Sequence, residues 1–146
     1  MTSSIRRDVV INQPVANVWW ALTSSEAIAR WGYPNTFEPR VGHQFTLNPP
    51  ANPKADFDGT VRCEVMECAP RQRLAFSWQA GPVTGTRVSF DLEPASQDTR
   101  LHFEHSGFDT DQPWSQNVLK GAEMGWTMML DRMAKVAADA PAGIVS

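Results

Sequence analysis

The sequence of 146 residues predicts an α+β fold, in which a curved antiparallel sheet wraps around one long C-terminal helix. Four segments between residues 58 and 105 alternate apolar and polar side chains, which is typical of strands with one dry face. Two short helical segments precede them. From residue 111 the apolar period becomes that of a helix, with apolar positions at Val118, Leu119, Ala122, Trp126, Met129, Met133 and Val136.

The N-terminal part of the chain predicts one strand followed by two short helices. Residues 5–11 alternate as a strand, and an amphipathic helix follows from Pro14 to about residue 22. The segment Thr23-Ser24-Ser25-Glu26 has the pattern of a capping box, with Thr23 as N-cap and Glu26 reaching back. The second helix then continues to Trp31.

The central part of the chain predicts a meander of strands, and the whole sheet is expected to have about six to seven. The turn-forming sequence at 81–85 is expected to be a loop. Strands are expected at 44–47, 58–68, 73–78, 87–93 and 100–105.

The last element is a single long helix, for which Asp109 or Asp111 can serve as the N-cap. It is expected to end after Ala140, because Pro141 cannot continue it. About 25 helical residues extend roughly 38 Å, enough to cover a whole curved sheet. We find no internal repeat and expect one domain over residues 1–146.

Composition excludes several classes of function. The net charge is −3 and the basic residues are scattered, so a nucleic-acid partner is not expected. No apolar run approaches the roughly 20 residues of a membrane span, and no secretory signal is visible, which predicts a cytoplasmic protein. Cys63 and Cys68 are expected to be free thiols. We expect no metal site, no cofactor and no catalytic motif of a known type.

The three histidines are the first candidates for a functional polar group. His43 is expected in a solvated turn, and His102 is expected to point outward. His105 shares the dry face of its strand with Leu101 and Phe103. It is therefore either a hydrogen-bonded core residue or the best candidate for a polar contact inside a cavity.

Large apolar rings are abundant, with six Trp and seven Phe against one Tyr. Such rings either fill the space between sheet and helix or line a cavity there for a small hydrophobic ligand. We expect a cavity, because a strongly bent sheet need not close tightly on a straight helix. Its predicted lining is Trp31, Phe37, Phe45, Phe57, Trp78, Phe90, Phe103, His105, Trp126 and Met129.

Several segments resemble a known family. The order of elements, with Trp19, Leu22 and Trp31 in the short helices, is similar to the helix-grip (SRPBCC) superfamily that includes the lipid-transfer START proteins and the birch-pollen allergen. Within it, three features resemble the activators of the ATPase of heat-shock protein 90, in their bacterial single-domain form. They are the segment that runs from Gly59-Thr60-Val61 through EVMECAPRQRLAFSW at 64–78, the pair VSFDLEP at 88–94 and TRLHFEHSGF at 99–108, and Gly125-Trp126 with Leu130.

The resemblance implies a helix-grip fold but does not choose among functions, since this superfamily hosts carriers, receptors, cyclases, hydrolases and co-chaperones. The leading hypothesis is a non-enzymatic binder or carrier of a small hydrophobic molecule. The second is a cyclase-like or hydrolase-like enzyme that uses His105 with a neighbouring carboxylate. The third is a protein-interaction module, either chaperone-linked or regulatory. Outward-facing methionines of the long helix are candidates for a homodimer surface.

Overall fold

The alternating segments of the sequence form one antiparallel sheet in the computed structural model, which describes residues 1–50 and 58–141. Along the chain the elements are β1 (Thr2–Ile11), α1 (Val15–Thr23), α2 (Ser25–Trp31), β2 (Gln44–Leu47), β3 (Val61–Ala69), β4 (Arg73–Ala80), β5 (Val83–Ala95), β6 (Asp98–Asp109) and α3 (Ser115–Ala137). In this part of the chain the sheet has six strands in the order β1-β6-β5-β4-β3-β2. The predicted α+β fold is confirmed.

The sheet curves at irregularities in its pairing, which add twist and bend a strand. The register shifts between Ser3 and Ser4 in β1, between Val65 and Glu67 in β3, and between Trp78 and Ala80 in β4. The last shift lies beside the β4–β5 turn. There β5 already begins at Val83, so the connection is shorter than the loop expected over 81–85.

Two glycines allow β5 and β6 to approach closely near this turn. Gly85 and Gly107 have φ angles of 68° and 91°, a region that favours glycine. A Cβ at Gly107 would lie 3.0 Å from the carbonyl oxygen of Gly85. The close contact of the two strands therefore depends on the absence of a side chain at Gly107.

The two short helices meet at a cap one residue later than the sequence predicts. Ser24 is the N-cap of α2, and its Oγ accepts a hydrogen bond from the N–H of Ala27 at 3.3 Å. Thr23, the predicted cap, still belongs to α1, and its hydroxyl donates to the carbonyl of Trp19 at 2.7 Å. The capping box assigned to Thr23 was wrong, because α1 continues through that residue.

The long helix α3 begins without the predicted aspartate cap. Its N-cap position is Trp114, which makes no capping side-chain hydrogen bond. The Asp109 carboxylate instead accepts from the N–H of Asp111 at 2.8 Å and from Gln112 Nε2 at 3.0 Å. The prediction failed because this carboxylate is used by the turn that precedes the helix.

The C-terminal end of α3 is fastened to the short helices. The helix ends at Ala137, a little before the expected stop. The carbonyl oxygen of Ala137 accepts a hydrogen bond from Asn17 Nδ2 of α1 at 3.1 Å. Arg30 of α2 forms an ion pair with Asp139, which lies just beyond the end of α3. One edge of the helix–sheet space is therefore closed by α1 and α2.

Between sheet and helices lies the hydrophobic core. The face of α3 that points into it carries Trp126, Met129, Leu130, Met133 and Val136. In the described part of the chain, no helix is both long and apolar enough to cross a membrane.

Candidate ligand-binding site

Most of the predicted cavity residues fall into two regions of the structure. In the first region they are tightly packed together. Phe37 and Phe45 meet edge to face at 5.0 Å between ring centroids, and Phe45 meets Phe76 at 5.3 Å. The space left beside them has a volume of about 20 Å³, and Trp31 and Phe90 also border it. Such a void has room for about one water molecule, so these side chains fill the core.

The second region is a larger cleft that is partly open to solvent, which we call the α3 cavity, with a volume of about 530 Å³. This value lies within the range of roughly 300–1,000 Å³ that is usual for small-molecule sites. From α3 it is bordered by Asn117, Val118, Gly121, Ala122, Gly125, Trp126 and Met129. From the sheet and its connections it is bordered by Tyr33, Pro49, Pro50, Val61, Trp78, Ala80, Pro82, Val83, His105 and Phe108.

Four of the predicted residues thus border the α3 cavity: Trp78, His105, Trp126 and Met129. Phe103 is buried against Trp126, at 4.5 Å between ring centroids. In the described part of the chain it borders neither the small void nor the α3 cavity. Phe57 lies outside the described residues.

The cavity exists because one face of α3 carries small residues. Gly121, Ala122 and Gly125 follow at helical spacing and border the open space. A Cβ added at Gly121 or at Gly125 would have no heavy atom within 4 Å. Sequence reasoning missed these positions because it searched for large apolar side chains. The available signal was Gly-x-x-x-Gly within an otherwise regular helical pattern.

At the inner wall of the cavity, His105 is part of a buried hydrogen-bond chain. Its Nδ1 lies 3.0 Å from Trp126 Nε1, and its Nε2 lies 3.0 Å from Thr86 Oγ1. The Thr86 hydroxyl in turn donates to the carbonyl of Trp78 at 2.7 Å. Since an indole N–H can only donate, Nδ1 of His105 is an acceptor. The one hydroxyl proton of Thr86 is committed to Trp78, so Nε2 carries the proton of a neutral imidazole.

This arrangement does not suit acid–base catalysis. Burial lowers the pKa of His105 to about 3, because a charged imidazolium would be desolvated there. Both ring nitrogens make hydrogen bonds, Nδ1 with Trp126 and Nε2 with Thr86, and neither of these partners is a carboxylate. The predicted pairing of His105 with a neighbouring carboxylate is therefore wrong. The alternative reading of His105, a hydrogen-bonded core residue, describes it correctly.

The other candidate polar residues lie elsewhere. His102 points outward, as predicted: its side chain is half-exposed and its Nδ1 lies 2.7 Å from Asp8 Oδ1. His43 was expected to be solvated, but its side chain is only 14% exposed and its Nε2 lies 2.8 Å from the carbonyl oxygen of Thr36. It fastens the segment before β2, which explains its burial.

Both cysteines are free, as predicted. Burial raises the pKa of the Cys63 thiol to about 12, and it also raises the pKa of Cys68. Neither is activated as a nucleophile. Among the residues that the structure describes, no group of three or more metal-ligating side chains comes together.

A curved antiparallel sheet that wraps a long C-terminal helix, with a cavity under that helix, defines a helix-grip protein. The chain belongs to the family described as Activator of Hsp90 ATPase homolog 1-like protein, whose sequence pattern matches residues 12–138. The resemblance of the sequence to this family is thereby confirmed. Its fold is, in general terms, that of a ligand-binding domain. No curated protein matches the sequence.

Solved structures show the same fold. Protein MLL2253 from Mesorhizobium loti is 27% identical, with a TM-score of 0.75 over 97% of this chain and 99% of that one. Protein BH1534 from Bacillus halodurans is 27% identical, with a TM-score of 0.76 over 94% and 99%. The Aha1 dimer from Colwellia psychrerythraea is 17% identical, with a TM-score of 0.75 over 92% and 96%. The last likeness bears on the fold alone.

Proposed function

We propose that this protein binds or carries a small hydrophobic molecule in the α3 cavity, without catalysing its conversion. The observation that carries the proposal is the contrast between the two spaces under α3. The void among the phenylalanines is about 20 Å³, whereas the α3 cavity is about 530 Å³. The α3 cavity is also partly open to solvent, so that a ligand can reach it. A space of this size, walled by apolar side chains, has the character of a binding site.

The composition of the wall supports an apolar ligand. The half-buried Trp78 presents aromatic surface, Phe108 and Trp126 border the cavity but are each only 2% exposed, and the prolines at 49, 50 and 82 add apolar surface without a backbone donor. Desolvation of apolar surface on both ligand and wall would provide the driving force. The few polar groups, Asn117 and Tyr33, match the usual composition of such sites.

The non-catalytic part of the proposal rests on His105. Its two nitrogens are engaged with Trp126 and Thr86 and the residue is only 1% exposed, so neither nitrogen is available to a ligand. A general acid or base must instead exchange a proton with the substrate near the working pH.

The binding test uses N-phenyl-1-naphthylamine, an uncharged dye whose fluorescence rises in apolar surroundings. Wild-type protein is expected to give a saturable signal. Gly125→Leu places a larger side chain in the cavity, where even a Cβ has no neighbour within 4 Å, and should weaken binding at least tenfold. Replacement of a helical Gly also favours the helix by roughly 0.8–1 kcal/mol, so this variant should remain folded.

The matched control is Thr127→Leu, which adds the same side chain at an exposed position of α3 outside the cavity. Its dye affinity should equal that of the wild type. Absence of saturable binding, or equal loss in both variants, would contradict the proposed function.

A homodimer is a separate proposal that rests on the outer surface of α3. Met124 and Met128, one turn apart, are 62% and 54% exposed. The related protein from Colwellia psychrerythraea is described as a dimer. Sedimentation equilibrium should show a dimer that Met124→Glu with Met128→Glu dissociates. A wild-type monomer at all concentrations would contradict it.

A contact with Hsp90 is suggested by the family name alone, and direct titration with the chaperone tests it.

A further inference from the structure

We propose that the indole N–H of Trp78 is a ligand-binding donor in the α3 cavity, so that the cavity favours an apolar molecule that carries a hydrogen-bond acceptor such as a carbonyl oxygen. The inference rests on the proposed function, since it concerns the chemistry of the molecule bound in the same cleft. Its basis is the different use that the protein makes of three tryptophan donors.

Two of these donors are committed to the protein itself. Trp31 Nε1 donates to the carbonyl oxygen of Ala21 at 2.8 Å, and Trp126 Nε1 donates to His105 Nδ1 at 3.0 Å. The two tryptophans are 5% and 2% exposed. A buried indole N–H normally has such a partner, because solvent cannot provide one.

The third donor, that of Trp78, has no such partner. The side chain is half-buried, and its Nε1 donates to no described side chain or backbone group. In the described part of the chain, no fully buried side-chain nitrogen or oxygen is left without a hydrogen bond. The indole nitrogen of Trp78 is therefore within reach of solvent.

The position of Trp78 in β4 directs its accessible part into the cleft. The ring centroid lies 5.2 Å from that of His105 and 5.4 Å from that of Trp126, so the side chain is on the face of the sheet that points to α3. Ser77 and Gln79 lie on the opposite face. Of the two spaces that Trp78 borders, the void of about 20 Å³ holds about one water molecule, whereas the α3 cavity is open to solvent. The free indole donor thus opens into the α3 cavity.

The chemistry of an indole decides which ligand group it recognises. An indole N–H can only donate, so a ligand acceptor gains a hydrogen bond from Trp78 and a ligand donor gains none. Because the cleft is partly open, the same N–H can also bond water, and a ligand acceptor takes the place of that bond. The gain is then the net value of one neutral hydrogen bond, about two- to twelvefold in affinity.

Three planar molecules with the same tricyclic frame test the inference. Fluorenone carries a carbonyl oxygen, carbazole carries an N–H donor, and fluorene carries neither. Equilibrium dialysis gives the dissociation constant of each, and the binding that Gly125→Leu removes is the binding in the α3 cavity. Trp78→Phe keeps an aromatic ring and removes the donor, so it should weaken fluorenone about fivefold more than fluorene. Carbazole should change by the same factor as fluorene.

The comparison with fluorene removes the effect of altered packing, which acts on all three molecules. The matched control is Trp20→Phe, the same change at a partly buried tryptophan that does not border the cavity. The ratio of the fluorenone and fluorene affinities should stay unchanged in this variant. Equal changes of the ratio in the two variants would count against the inference.

Hydrogen exchange in the wild type tests the free donor without any substitution. In ¹H–¹⁵N spectra the indole proton of Trp78 should exchange with solvent about tenfold faster, or more, than those of Trp31 and Trp126. Fluorenone should slow this exchange. Exchange in the free protein as slow as that of Trp126 would mean that the donor is already engaged, and it would overturn the inference.

The outcomes separate this inference from the proposed function. If fluorene binds in the cavity and Trp78→Phe weakens fluorenone and fluorene by the same factor, the ligand does not use the indole donor and the inference is overturned. If none of the three molecules shows binding that Gly125→Leu removes, the proposed function itself fails.

Discussion

Removal of the indole donor by Trp126→Phe tests the hydrogen-bond chain that links α3 to the sheet. In the wild type Trp126 is 2% exposed, and its Nε1 donates to His105 Nδ1 over 3.0 Å. Phenylalanine keeps an aromatic ring but leaves that nitrogen without a donor. A buried acceptor without a partner costs about 1–3 kcal/mol. The smaller ring adds about 1 kcal/mol, if roughly 40 Å³ is left empty at about 24 cal/mol per Å³.

We therefore expect Trp126→Phe to lower the free energy of unfolding by about 2–4 kcal/mol in urea titrations followed by circular dichroism. Trp20→Phe is the control, because Trp20 packs against the core and donates no hydrogen bond from its indole to the described residues. It should cost only a packing contribution of at most about 1 kcal/mol, because Trp20 is only partly buried.

A double-mutant cycle isolates the hydrogen bond itself. His105→Leu removes the acceptor, and the double variant His105→Leu with Trp126→Phe removes both partners. Directly interacting residues show coupling energies of about 0.5–3 kcal/mol, so the double variant should be less destabilised than the sum of the single variants. A coupling energy near zero, or a cost of Trp126→Phe no larger than that of Trp20→Phe, would refute the assigned bond.

Three further predictions concern the rest of the fold. The hydrogen bonds and charges of Asp8 and Glu93 raise the pKa of His102, so the charged form is favoured in the folded state. The stability difference between wild type and His102→Gln should be largest below about pH 6.5, shrink as the pH rises through the raised pKa, and weaken with salt. A difference that grew with pH would contradict this. Iodoacetamide should label Cys68 before Cys63, because Cys63 is 5% exposed and its pKa is raised to about 12, and peptide mass spectrometry reads the order. Gly107→Ala should destabilise more than Gly42→Ala by about 1 kcal/mol or more. Both have positive φ angles, but only at Gly107 would a Cβ meet a backbone oxygen, at 3.0 Å, and equal losses in thermal unfolding would exclude that contact.

The strands were predictable because a half-buried strand must alternate. Gln44–Leu47 was assigned at its observed bounds. β1, β4, β5 and β6 are longer than expected, whereas β3 begins only at Val61, three residues after the expected start at 58. Helix termini were less predictable, because several adjacent residues can cap. Thr23 and Ser24 are equally suited by type, and the course of the backbone makes Ser24 the cap. For α3 the aspartates were suited by type, but Asp109 is held by the preceding turn.

The candidate site was only partly predictable for a related reason. Aromatic content indicates that large rings meet under the helix, but it does not say which rings touch each other and which border open space. Phe37 and Phe45 pack together, whereas Trp78 and Trp126 border the α3 cavity. Gly121 and Gly125 have no side chain, so the distribution of apolar side chains in the sequence does not indicate them, although their lack of a side chain keeps the cavity open.

The sequence by itself determined the order of elements, the dry face of each strand and the family, because these follow from local periodicity and short motifs. Only the tertiary structure decided where the interior is filled and where it stays open, and how His105 is used. Those properties depend on distances between elements far apart in the chain. The bond between Trp126 and His105 joins a helix to a strand, and the cavity is the volume that sheet and helix together leave unoccupied.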